Sequence, residues 1–149
     1  MRKIKVLFVC IHNSARSQMA AALLKKHGRD LFEVESAGLE PGKLNPLAVK
    51  AMQDIGIDIS QNQTTSVFDL FRRGRNYNFV ITVCAESSSE RCPIFPGRVK
   101  RLHWSFTDPA TLSGTEAEKQ EQTNAIRDQI EQKIIEFIKE ILADFCEDC

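Results

Sequence analysis

The sequence lacks any excess of charge: Lys+Arg and Asp+Glu both number 20 among 149 residues, a formal net charge of +0. A nucleic-acid-binding domain carries a basic surplus, so this balance speaks against that class. Long hydrophobic runs are also missing. The apolar stretches Val6–Ile11 and Met19–Leu24 fall far short of the roughly 20 residues that cross a bilayer, so no membrane association is expected. Met1-Arg2-Lys3 leads through a short apolar run into polar residues with no small-residue cleavage site, which speaks against a secretory leader and for a cytoplasmic protein. No repeat, low-complexity tract or linker interrupts the chain, and 27% charged with 42% hydrophobic residues excludes a disordered one. Residues 1–149 therefore read as one domain, which at this size buries roughly 68–70% of its unfolded surface without help from disulfides or metal. An even set of cysteines is the last absence. Cys10, Cys84, Cys92, Cys146 and Cys149 are five, which in a reducing compartment disfavours a disulfide framework and raises catalytic, redox or metal roles. For each of them the plainer alternative is a small buried hydrophobe.

What is present alternates between two periodicities. Lys5–Cys10 is a continuous apolar run rich in β-branched and aromatic residues, as in a strand buried on both faces. Ser14–His27 follows with Met19, Ala20, Leu23 and Leu24 at helical spacing, and Gly28 is expected to close that helix. Phe32–Ala37 alternates like a second strand, stopping at Gly38. Asn45-Pro46 predicts a helix, with Asn as cap and Pro in the first turn, running to about Ile55. Asn78–Cys84 and Val99–Trp104 predict two further strands. From Gly114 onward the pattern is one long amphipathic helix, with Ile126, Ile130, Ile134, Ile138 and Leu142 expected on its inner face. Strands alternating with helices imply a doubly wound α/β domain, a four-stranded parallel sheet with helices on both faces. In such sheets the ligand site lies beyond the carboxyl ends of the strands, and Cys10, Cys84 and the segment after Trp104 all fall there.

Cys10-Ile11-His12-Asn13-Ser14-Ala15-Arg16-Ser17 joins the first strand to the first helix. The N–H groups of a tight loop opening a helix form an anion cradle, so Ile11, His12, Asn13, Ser14, Ala15, Arg16 and Ser17 are the candidate oxyanion-binding set. The field there favours the thiolate of a cysteine at the head of the cradle. Arg16 is spaced to fork onto two oxygens of a tetrahedral oxyanion. The Ser17 hydroxyl is placed to donate to the Cys10 sulfur, and Asn13 is suited to hold the loop in a strained conformation. His12 reads as a solvent-facing loop residue.

Cys10, Arg16 and Ser17 on the first strand–helix turn resemble the motif of low-molecular-weight protein tyrosine phosphatases and of the thioredoxin-coupled arsenate reductases built on their fold. The resemblance spans nearly the whole chain: Glu35-Ser36-Ala37-Gly38-Leu39, Asn45-Pro46, Ile55-Gly56-Ile57-Asp58-Ile59-Ser60, Val83-Cys84, Cys92-Pro93 and Trp104-Ser105-Phe106-Thr107-Asp108-Pro109. It implies Cys10 as nucleophile, Asp108 as the acid that protonates the departing oxygen, and a hydrolase or a reductase according to the other thiols. Phosphatases of this family usually follow Asp-Pro with an aromatic; here Ala110 stands there, and Tyr77 is the one tyrosine.

Cys84 and Cys92 favour the reductase. They flank the polar stretch Ala85–Arg91, and a relay needs one thiol beside the nucleophile and another able to carry the disulfide outward. A parallel sheet places Cys84 beside Cys10 provided their strands are neighbours. The resemblance then implies reduction of arsenate with electrons from thioredoxin and no bound cofactor; the alternative is a phosphatase acting on phosphotyrosine or small phosphomonoesters. Relatives that bind potassium carry an acidic residue where Ala21 stands, although Asn13 and Ser36 match other ligand positions, which puts a potassium site in doubt. No metal site is expected, since the seven-residue gap between Cys84 and Cys92 suits zinc poorly and Cys146-Glu147-Asp148-Cys149 reads as an incidental tail. The cluster Arg72-Arg73-Gly74-Arg75 reads as a solvated basic patch.

Overall fold

The computed structural model describes residues 3–84 and 92–146. Its centre is a four-stranded parallel sheet in the order β2-β1-β3-β4, formed by β1 (Ile4–Cys10), β2 (Phe32–Gly38), β3 (Phe79–Thr82) and β4 (Lys100–His103). The apolar run of β1 is explained by its place between two neighbours: Cys10 pairs with Gly38 on one side, and Val9 with Thr82 on the other. β4 is one of the two edge strands, and its Lys100, Arg101 and His103 are exposed, as suits an edge that must not recruit another strand.

Helices α1 (Arg16–Gly28), α2 (Pro46–Gln53), α3 (Val67–Arg72) and α4 (Glu116–Cys146) complete the fold. One face of the sheet, with Val6, Phe8 and Ile81, packs against Met19, Leu23, Met52, Ile130 and Ile134 of α1, α2 and α4. The other face, with Leu7, Val9 and Val80, packs against Val67 and Leu70 of α3 and against Tyr77 and Phe95. Asn45 caps α2 as expected, accepting a hydrogen bond from Leu47 N at 2.9 Å, with Pro46 in the first turn. Among the described residues, no helix is long and apolar enough to cross a membrane.

α1 ends at Gly28 as expected, and the positive φ that follows the helix belongs to Arg29, at 49°. Gly28 is needed because a Cβ there would run into the Phe32 ring. In α4 the buried apolar residues are Ile126, Ile130, Ile134, Phe137 and Ile141, whereas Leu142 is 47% exposed. Steps of four residues overshoot a turn of 3.6, so position 142 lies roughly 160° around the helix from position 126. Finally, α3 was not anticipated; its six residues are too few to display a helical period.

Candidate active site

Cys10 ends β1, 2% exposed, and residues 11–15 loop from it into α1. The direction of this loop's peptides follows from what its carbonyls bind. Those of Cys10, Ile11, His12 and Ser14 accept from the backbone N–H groups of Leu39 (3.0 Å), Glu40 (2.7 Å), Gly42 (3.0 Å) and Asn45 (2.9 Å). The Asn13 carbonyl accepts from Gln18 Nε2 at 3.1 Å. In a trans peptide the N–H points opposite to the C=O, so with five successive carbonyls tied outward the N–H groups of residues 11–15 converge inward. No side chain caps α1, which leaves its first N–H groups and dipole available to the same anion.

Two donors are aimed at the Cys10 sulfur. Asn13 N–H donates to Sγ at 3.0 Å, and Ser17 Oγ lies 2.9 Å away. Asn13 Nδ2 donates to that Ser17 oxygen at 2.7 Å, which leaves the hydroxyl proton free to turn toward the sulfur. With the hydroxyl so turned, both contacts use the sulfur as an acceptor, as a nucleophile requires. Asn13 achieves this at φ 55°, a left-handed conformation that its short polar side chain tolerates by bonding locally; its Oδ1 accepts from Thr65 N at 2.9 Å.

Arg16 is 5% exposed and reaches across to the loop after β4. Its Nη1 donates to Phe106 O at 3.2 Å, and its Nη2 lies 3.4 Å from Asp108 Oδ2. The other Asp108 oxygen accepts from Ala110 N at 3.0 Å, capping the 3-10 turn Pro109–Thr111. The acid is thus held at the rim, its side chain 24% exposed, beside the guanidinium. His12 faces solvent, with Nδ1 2.9 Å from Glu40 O.

The strand order satisfies the condition set by the relay: β3 neighbours β1. Val83 N donates to Val9 O at 2.9 Å, so Cys84 follows directly where the two chains run side by side. Cys10 and Cys84 are buried in one core cluster, and Cys92 in the cluster on the opposite face. Burial pushes the Cys92 thiol above its ordinary range; the Arg101 guanidinium opposes that push and the Cys84 thiol adds to it. Ala85–Arg91 and Cys149 lie outside the described residues, and Cys146 is the last residue of α4. Among the described residues, no three His, Cys, Asp or Glu side chains group as metal ligands.

Gly38 was expected only as the end of the second strand, and Gln18 and Thr65 were not singled out from the sequence, yet all three shape the loop. A Cβ on Gly38 would stand 2.7 Å from Asn13 N, so only glycine lets the loop rest on the end of β2. The available signal for Gln18 was a long amide inside the apolar pattern of α1.

Residues 5–146 match the low molecular weight phosphotyrosine protein phosphatase family. The chain belongs to this family. Within it, the chain is 46% identical over 137 residues to the arsenate reductase of Bacillus licheniformis, covering 92% of this chain and 96% of that one. A solved arsenate reductase in its oxidised state is similar at 30% identity and TM-score 0.74, covering 92% of this chain and 98% of that one. The thioredoxin-dependent arsenate reductase of Corynebacterium glutamicum is similar at 29% identity and TM-score 0.71, covering 95% of this chain and 63% of that one. The phosphatase-family fold here holds the loop of Cys10 and Arg16, the Asp108 carboxylate beside that guanidinium, and two further buried thiols, Cys84 and Cys92.

Proposed function

We propose that this chain reduces arsenate to arsenite through Cys10, Cys84 and Cys92, with thioredoxin as electron donor and arsenate held as the oxyanion. The observation that carries the reading is the placement of Cys84 directly beyond β3, next to the strand that ends in Cys10. A hydrolase of this design needs one cysteine; a second at the neighbouring strand end serves electron transfer. The names of the relatives support the same reading.

The N–H groups of residues 11–17 and the Arg16 fork take arsenate as a tetrahedral anion. Cys10 attacks arsenic, Asp108 donates a proton to the departing oxygen, water leaves, and a sulfur–arsenic bond forms. Cys84 then attacks the Cys10 sulfur. The electron pair of the sulfur–arsenic bond passes to arsenic, which leaves as arsenite, and a Cys10–Cys84 disulfide remains. Cys92 attacks Cys84, releasing the Cys10 thiolate and forming Cys84–Cys92, and the thioredoxin dithiol reduces that bond. All electrons travel through thiols, so the sequence of steps calls for no bound cofactor, and a thioredoxin donor fits a reducing, cytoplasmic setting. Phosphate enters the same cradle but takes up no electron pair, so hydrolysis of aryl phosphates is at most a side reaction. Ala110 follows Asp108-Pro109, where phosphatases of this family usually carry the aromatic that stacks on phosphotyrosine.

The test is a coupled assay of arsenate-dependent NADPH oxidation with thioredoxin and its reductase, run beside aryl phosphate hydrolysis. Arsenate turnover that requires thioredoxin supports the reading. Efficient hydrolysis without arsenate turnover would replace it with the phosphatase.

A further inference from the structure

The loop that aims two donors at the Cys10 sulfur depends on one residue, Asn13, staying in a left-handed conformation at φ 55°. Besides its bonds to Cys10, Ser17 and Thr65, Asn13 is held by one further side chain. Gln18, in the first turn of α1, is 3% exposed. Its Nε2 lies 3.1 Å from Asn13 O, 3.2 Å from Asn13 Oδ1 and 3.1 Å from Gln63 O. Its Oε1 accepts from Asn62 Nδ2 at 3.1 Å. Two amide hydrogens thus serve three acceptors, gripping Asn13 by backbone and side chain together and tying it to the 62–63 segment.

We infer that Gln18 is a positioning residue for the nucleophile: by clamping Asn13 it holds both hydrogen bonds to the Cys10 sulfur and turns the following N–H inward to the oxyanion. The inference rests on reading the loop as an oxyanion site. A carboxylate at position 18 would set oxygen against three oxygens, and an apolar side chain would leave the buried Asn13 carbonyl and the Gln63 carbonyl without this donor. The amide is the group that fits. The Gln18 side chain makes no hydrogen bond to the Cys10 sulfur; it acts through Asn13, which it ties to the 62–63 segment.

The test uses Gln18→Met, which keeps length and helix propensity and removes both donors. Inorganic phosphate is the probe, and the readout is its protection of Cys10 from iodoacetate, measured well below the melting temperature so that lost stability does not register. The expected result is phosphate binding weaker by about tenfold, the scale of losing a buried hydrogen bond, with arsenate kcat/KM and aryl phosphate kcat/KM falling in parallel. Asn62→Ala frees the other end of the amide; a smaller loss in the same direction is expected, and it carries the test should Gln18→Met not fold. Either variant, folded and binding phosphate as tightly as the wild-type protein, overturns the inference. Failure of the wild-type chain to reduce arsenate would refute the reductase reading alone, since phosphate protection reads the clamp independently of arsenic chemistry.

Discussion

Replacing Gly38 with alanine adds one methyl group at the point where β2 meets the nucleophile loop. The new Cβ would lie 2.7 Å from Asn13 N, 2.8 Å from Ile11 O and 2.9 Å from His12 C. All three are backbone atoms, so no side chain is free to swing aside. Relief to ordinary contact moves the loop by roughly 0.7 Å, because carbon–nitrogen contacts closer than about 3.4 Å are repulsive. The loop is held through its carbonyls by residues 39–45, and Gly38 N itself donates to Thr65 O at 2.8 Å, so the shift spreads into the cradle. Overpacking of this kind costs about 1–3 kcal/mol, a fall in melting temperature of roughly 2–10 °C for a chain of this size. Activity should suffer far more than stability, because misplacement on the order of 1 Å costs about 100-fold in rate. The thioredoxin-coupled assay gives kcat/KM, and a circular dichroism melt gives stability. Wild-type kinetics in Gly38→Ala would refute the claim that this close approach sets the geometry of the site.

Arg16→Lys should lower arsenate kcat/KM by on the order of 100-fold or more, because a point charge cannot fork onto two oxygens; near-normal steady-state kinetics would place the oxyanion elsewhere. Asp108→Asn should slow hydrolysis of aryl phosphates with poor leaving groups by about 100-fold and spare good ones, and equal slowing across a leaving-group series would argue for a purely positional carboxylate. Stability should fall in alkali. Burial raises the Cys92 thiol, and burial together with Glu35 raises the Tyr77 phenol. The unfolded chain therefore gives up these protons first, at about pH 8.5 and pH 10. The stability they contribute is full below those values and is lost as pH rises through them toward the folded-state values. Urea unfolding across this range should give a falling curve that Cys92→Ser and Tyr77→Phe flatten; an unchanged slope in both variants would contradict the assignment.

The parts of this protein that could be read from its sequence are those whose chemistry resides in side chains or in periodicity. The run ending in Cys10, the spacing to Arg16 and Ser17, and the Asn45-Pro46 helix start carry direct physical signatures, and they stand where expected. What escaped depends on backbone atoms and on strand order. Phe106 meets Arg16 through its carbonyl and Thr65 meets Asn13 through its N–H, and neither contact needs a particular side chain. Whether Cys84 stands beside Cys10 depends on β3 adding next to β1, which alternation of strands and helices leaves open. The error at Leu142 has the same root: a series of identical four-residue steps looks like a stripe in the sequence but winds around a real helix.

The central claim is the route of the electrons from Cys84 through Cys10 to arsenic, and it is tested most directly by stopping the relay midway. Cys92→Ser, reduced and then mixed with excess arsenate, should release about one equivalent of arsenite and halt, because without the third sulfur the first disulfide cannot pass on. Peptide mapping by mass spectrometry under non-reducing conditions should find Cys10 joined to Cys84. Repeated turnover by this variant, or a disulfide that leaves Cys84 out, would contradict the relay.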